Sequence, residues 1–204
     1  MSSRAVPVRA LAGGVLSATL LAGCAGTNAN PTGPGGADNR YVAGDGSSQL
    51  IKDRKPGPQA TGTTLDGKQL SLADLTAASG ANGAGSKVVV VNFWASWCAP
   101  CRGEAPALQK LYEERKGKGV EFVGIDIKDY GKEAATAFER TFKIGYPSLY
   151  DPDGQVTLAF RVIPPSAVPS TLILDRKGRV AARIIGSTTY SRLGPLIDQV
   201  AAEK

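Results

Sequence analysis

The chain has 204 residues, of which 42% are hydrophobic, a formal net charge of +6 and no histidine. That length fits one domain with appendages. The lack of histidine excludes a Ser-His or Cys-His nucleophile pair and any imidazole metal ligand, and no basic cluster interleaved with aromatics marks a nucleic-acid footprint.

Residues 1–23 read as an export signal. Arg4 and Arg9 form a positive leader, and Ala10 to Gly23 is an apolar stretch of small residues, shorter than the ~20 needed to cross a bilayer. Its end, Leu21-Ala22-Gly23-Cys24, resembles the bacterial lipobox. That resemblance implies cleavage before Cys24 and a diacylglycerol on its thiol. The alternative is a plain secretory signal with a stray cysteine. An odd cysteine in an exported protein asks for an explanation, and lipidation leaves one pair. Either reading puts the domain outside the cytoplasm, where cytosolic pools do not hold thiols reduced.

Residues 24–55 are poor in large apolar side chains and rich in Gly, Asn, Ser and Pro. Such a segment cannot bury enough surface to fold alone. It is expected to be a tether with an r.m.s. span of roughly 30 Å, raising the effective concentration of the domain toward membrane partners.

The folded domain is expected over 56–204. Gln59 to Thr64 and Lys68 to Ser71 flank Asp66-Gly67, a hairpin signal. Leu72 to Leu75 makes a helical turn, and Thr76 to Ser86 a Gly/Ala-rich loop. Val88 to Trp94 is a β-branched, apolar run, the mark of a strand buried on both faces. A helix follows to about Lys116, with Pro106 inside it and Gly117 and Gly119 ending it. Glu121 to Asp126 is a parallel strand, because a helix joins it to the first. Lys132 to Phe142 is the next helix. Pro147 to Tyr150 is extended, Asp151 to Gly154 turns, and Val156 to Phe160 is another helical turn. Leu172 to Asp175 and Val180 to Ile185 pair antiparallel about Arg176-Lys177-Gly178. Ser191 to Glu203 closes the chain as a helix.

Cys98 and Cys101 sit where the central strand hands over to a helix. A thiolate is the nucleophile in disulfide exchange, and a free thiol of pKa ~8.5 is mostly protonated at neutral pH. The first helical turn offers unpaired N–H groups and the positive end of the macrodipole, which favour the Cys98 thiolate. Cys101, one turn later, points inward and suits resolution of a mixed disulfide. Pro100 costs no hydrogen bond so early in the helix. C-x-x-C could also be half of a zinc site, but that needs four N or S ligands, and three cysteines without histidine do not supply them.

The stretch N-F-W-A-S-W-C-A-P-C-R-x-E-x-P resembles the active-site segment of the thioredoxin superfamily. More narrowly it is similar to the membrane-anchored TlpA/ResA-like thiol–disulfide oxidoreductases. The β-α-β-α-β-β-α order matches, and so does the N-terminal hairpin. The resemblance implies an α/β thioredoxin-like fold with a central mixed sheet flanked by helices. It also implies that Val168–Pro169, in V-P-S-T, is cis and faces the cysteines, its backbone pairing with a bound substrate strand. Glu104, at C-x-x-C-x-x-E, is implied to lie by the active site and influence cysteine ionisation. Asn92 departs from the buried aspartate of thioredoxins and shifts proton handling to Glu104 or water. Trp97, with Pro100 and Val168, is expected in the substrate groove. Trp94 reads equally as core.

The function implied is extracytoplasmic exchange of a Cys98–Cys101 dithiol with protein disulfides, without metal or organic cofactor. The chain would act as a reductase in cytochrome c maturation, a lipid-anchored monomer reduced by a membrane donor of the CcdA type, with apocytochrome c as substrate. The alternatives are an oxidant that introduces disulfides into exported proteins, or a non-catalytic surface lipoprotein binding module. Copper delivery on the same fold generally needs a histidine. A peroxiredoxin would place Pro and Thr before a single peroxidatic cysteine, where this chain has Trp94-Ala95-Ser96-Trp97.

Overall fold

The computed structural model describes residues 45–76, 86–164 and 166–203. The expected signal, Cys24, most of the tether, most of the 76–86 loop and Pro165 lie outside the described residues.

The central strand, β4 (Val88–Trp94), is buried along its whole length. Its valines stiffen the extended backbone and pack on both faces. Val89, Val91 and Phe93 join one apolar cluster with Leu72, Phe160 and Val168. Val88 and Val90 join another with Leu108, Leu111, Leu193 and Ile197. That alternation is the two-residue period of a strand lying between layers.

Numbered in chain order, the strands are β1 (Ser48–Leu50), β2 (Thr61–Thr63), β3 (Gln69–Ser71), β4, β5 (Val120–Ile127), β6 (Ser148–Asp151), β7 (Ser170–Leu174) and β8 (Val180–Ile185). Six of them form one mixed sheet in the order β1-β8-β7-β4-β5-β6. β4 runs parallel to β5, with Trp94 opposite Asp126, and antiparallel to β7, with Phe93 opposite Ser170. This is the thioredoxin-like α/β arrangement. The helices are α1 (Leu72–Thr76), α2 (Ala99–Arg115), α3 (Lys132–Phe142), α4 (Gln155–Leu158) and α5 (Tyr190–Ala201).

Helix α2 buries Cys101, Glu104, Ala105, Leu108, Leu111 and Tyr112, the i, i+3, i+4, i+7 stripe of an amphipathic helix. It is helical on both sides of Pro106, and Gly117 and Gly119 take left-handed φ just beyond its end. On α3, Phe138 stacks on Trp94 with centroids 4.3 Å apart, so Trp94 is a core residue. The hairpin β2–β3 is a separate sheet, joined to the edge of β6 through Thr64 opposite Leu149.

One expectation is corrected. Ser48–Leu50, inside the segment assigned to the tether, pairs with β8 as an edge strand. Its three side chains are exposed, so composition gives no sign of it. Backbone bonds and the residues that follow hold it. Arg54 reaches Asp175 at 3.2 Å and Glu203 at 2.7 Å, pinning this segment to the β7–β8 turn and the C-terminus. The ordered domain therefore begins upstream of residue 56.

Candidate active site

Both cysteines sit at the end of the sheet where β4 gives way to α2. Cys98 is the N-cap residue, and its Sγ accepts from the backbone N–H of Cys101 at 3.2 Å. Ala99 and Pro100 fill the first helical turn, where proline sacrifices no hydrogen bond. The two cysteines are joined as a disulfide with Cα atoms 5.3 Å apart. Cys98 is 2% and Cys101 1% exposed, so burial does not distinguish them. Helix position does: Cys98 occupies the site where N–H groups and the macrodipole stabilise an anion.

The Val168–Pro169 peptide bond is cis. Ser170 pairs with Phe93, so Pro169 lies by register at the Trp94 end of β4, the end from which the cysteine loop departs. The Pro169 carbonyl is engaged by Gly186 N at 2.8 Å. The Val168 N–H is likewise engaged, by Ser166 O at 3.1 Å. The Val168 side chain is fully buried in the core, so it offers no groove surface. Trp97 and Pro100 are half-buried beside Cys98.

Glu104 is buried, three residues after Cys101 on α2. Asn92 Nδ2 donates to its Oε1 at 2.8 Å, and Thr188 N donates to its Oε2 at 2.8 Å. Burial pushes its carboxyl up to about 7, against the pull of these two donors. It can gain or lose a proton near neutral pH. Asn92 also lies 3.3 Å from Thr171 Oγ1 and 3.4 Å from Ser170 O. It acts as a donor hub between β4, β7 and α2.

Three residues that the sequence reading passed over gather beside the cysteine loop, at the carboxyl end of β5. Asp126 is fully buried, and neither carboxylate oxygen has a hydrogen-bond partner among the described residues. Burial first, then the charges of Asp129, Glu139 and Asp151, push it up to about 9, so it is a neutral acid at pH 7. Asp129 accepts from Ser96 N and Ser96 Oγ, both at 2.7 Å. The Lys128 carbonyl accepts from Trp97 Nε1 at 3.1 Å. A lone aspartate ending an apolar parallel strand next to the active strand is the signal that could have found this group, since sites in such sheets lie at strand carboxyl ends. Arg102 lies with its guanidinium 5.3 Å from the centre of the Phe142 ring, packing α2 on α3. Among the described residues no cluster of three or more Cys, Asp or Glu could hold a metal ion.

The AhpC/TSA family matches residues 54–183. The thiol–disulfide oxidoreductase ResA of Bacillus thuringiensis is 30% identical over 146 residues, 72% of this chain and 77% of its own length. ResA of Bacillus subtilis is 29% identical over 153 residues, 75% and 78% of the two chains. Among solved structures, a DsbF homologue from Corynebacterium diphtheriae is 34% identical with a TM-score of 0.66, covering 78% of this chain and 96% of its own. A secreted thiol–disulfide isomerase from Corynebacterium glutamicum is 30% identical with a TM-score of 0.64, covering 77% and 96%.

Proposed function

The chain belongs to the AhpC/TSA family and is a thiol–disulfide oxidoreductase of the ResA type, and from that premise we propose that it reduces disulfides in exported proteins from a lipid-anchored position outside the cytoplasm. The observation that carries this reading is the Cys98–Cys101 disulfide at the α2 N-terminus, with a buried, titratable Glu104 one turn further on.

The Cys98 thiolate attacks a substrate disulfide. A Cys98–substrate bond forms, and one substrate sulfur leaves and takes up a proton. Cys101 then loses its proton, with Glu104 as acceptor, and attacks Cys98 Sγ. The second substrate sulfur leaves. Two electrons have passed to the substrate, and the pair is oxidised. Trp97 and Pro100 would line the groove that receives the substrate strand, beside the cis Val168–Pro169 bond. A membrane donor of the CcdA type would return the electrons, and apocytochrome c with oxidised haem-binding cysteines is the proposed substrate. The signal at 1–23 and lipidation at Cys24 would hold the domain at the membrane, as a monomer. Support for the export reading comes from Arg4, Arg9 and the Leu21–Cys24 sequence.

A second reading is an oxidant or isomerase, favoured by the secreted isomerase of Corynebacterium glutamicum. The reduction potential of the Cys98/Cys101 couple separates the two. A value of about −230 mV or lower, toward thioredoxin's ~−270 mV, supports the reductase. A value near ~−120 mV, that of a strong periplasmic oxidant, would overturn it.

A further inference from the structure

Lys128 stands immediately after β5 with a left-handed φ of 51°, a conformation that a lysine adopts at some cost. The turn lets its backbone serve two neighbours. Its N–H reaches Asp151 O at 3.3 Å, and its carbonyl accepts from Trp97 Nε1 at 3.1 Å. The side chain goes elsewhere. Its Cε passes the Asp151–Gly154 turn, close enough to meet a Cβ built on Gly154 at 3.6 Å. Its Nζ ends on Ser166 Oγ at 2.9 Å. Ser166 belongs to the segment that leads into the cis peptide, where Ala167 N bonds Pro164 O and Val168 N bonds Ser166 O.

One residue thus grips the Trp97 loop with its backbone and the loop before Pro169 with its ammonium. We propose that Lys128 is a positioning residue for disulfide exchange: it braces the two walls of the substrate groove against each other. This rests on the reading of Cys98–Cys101 as the exchanging pair. Two loops held at a set spacing lose less freedom when a substrate strand orders between them. The benefit falls on substrate binding rather than on the sulfur chemistry.

The test uses Lys128→Met, Ser166→Ala and the double variant, assayed with a protein disulfide and, separately, by reducing the Cys98–Cys101 disulfide with dithiothreitol. Each single change should raise KM about fivefold with kcat little altered, the scale of one ordinary solvent-accessible hydrogen bond. The double variant should be no worse than either single one, because both remove the same contact. Lys128→Arg, which keeps a donor in reach, should restore most of the loss. Dithiothreitol, which needs no groove, should react at the wild-type rate.

Unchanged KM in both single variants overturns the proposal, as do additive effects. An equal loss with dithiothreitol, or a shift in potential with Lys128→Met but not Ser166→Ala, also overturns it, since either would mean action through charge on the sulfurs. If the wild-type chain turns over no protein disulfide, the exchange reading fails and the proposal with it. Wild-type turnover matched by every variant defeats the proposal alone.

Discussion

Asn92 donates its side-chain amide to Glu104 across the interface of β4 and α2, 2.8 Å from nitrogen to oxygen, with both residues buried. This contact gives the amide a reason. An aspartate at position 92 would face Glu104 as a second buried carboxyl, and two such groups cannot both ionise cheaply. An amide solves this by donating to the acid in either protonation state. Proton exchange near neutral pH is thereby concentrated in Glu104.

If Glu104 takes the proton from Cys101, its replacement should remove a titration from the rate. Glu104→Gln should slow protein-disulfide reduction at pH 7 by about 100-fold, a usual scale for one general base. The wild-type rate should rise with pH through an inflection near 7, and the variant should lack that inflection. Stopped-flow rates from pH 5 to 9 check both statements. An inflection retained in the variant would assign the proton to water or another group.

The same burial has a consequence for stability. The folded Glu104 carboxyl titrates at about 7 against an ordinary value of 4.5, so the unfolded chain releases its proton first. The contribution of Glu104 to stability is therefore full below about 4.5 and is lost as pH rises through 7, at about 1.4 kcal/mol per unit between the two values. Asp126 acts in the same direction over a wider window, from its ordinary 3.8 up to about 9. Asp126→Asn keeps the shape and removes the ionisation. Denaturant titrations should find it more stable than wild type at pH 8, with a flatter slope between pH 4 and 9. A slope as steep as that of wild type would mean that Asp126 is already solvated or paired.

How far the sequence discloses this site depends on how each part is held. The four valines before Asn92 and the helical stripe from Cys101 to Tyr112 announce the sheet centre and α2, because burial imposes a local period. The cysteine pair and Val168–Pro169 are legible from local motif. Glu104 could be placed on the right face of α2, but its partner Thr188 lies 84 residues away, and no local pattern records that contact. Lys128 resists reading for another reason. Its grip on Trp97 comes from a carbonyl turned by left-handed backbone, and sequence says nothing about that in a lysine. β1 is invisible because its side chains face solvent and its hold is through the backbone.

The edge strand also makes a prediction about where the domain starts. A chain beginning at residue 56 loses β1, leaves the outer edge of β8 unpaired, and strips Arg54 from Asp175 and Glu203. Asp175 is 4% exposed, and loss of one charged partner at such a site costs about 1–3 kcal/mol. An unpaired edge is also a template for aggregation. The chain beginning at residue 45 should therefore melt higher and remain monomeric at concentrations where the shorter one associates. Arg54→Ala in the longer chain should lower the melting temperature by part of that difference without bringing on the aggregation. Equal melting temperatures for the two lengths would show that β1 contributes nothing.

The two cysteines should fail in different ways when replaced singly. Cys98 is the N-cap, its sulfur held by Cys101 N–H, so the helix favours negative charge there and not at Cys101. Cys98→Ser removes the attacking thiolate. Disulfide reduction should fall to background, and no covalent adduct should form. Cys101→Ser leaves the attack intact but removes the thiol that expels the substrate. A mixed disulfide between Cys98 and the substrate should then accumulate, visible as a mass shift that disappears on reduction. The similar burial of the two residues means that exposure cannot produce this asymmetry, so its appearance would assign it to position on the helix. If Cys98→Ser were instead the variant that trapped substrate, Cys101 would be the nucleophile, and the N-terminal field of α2 would not be what activates the pair.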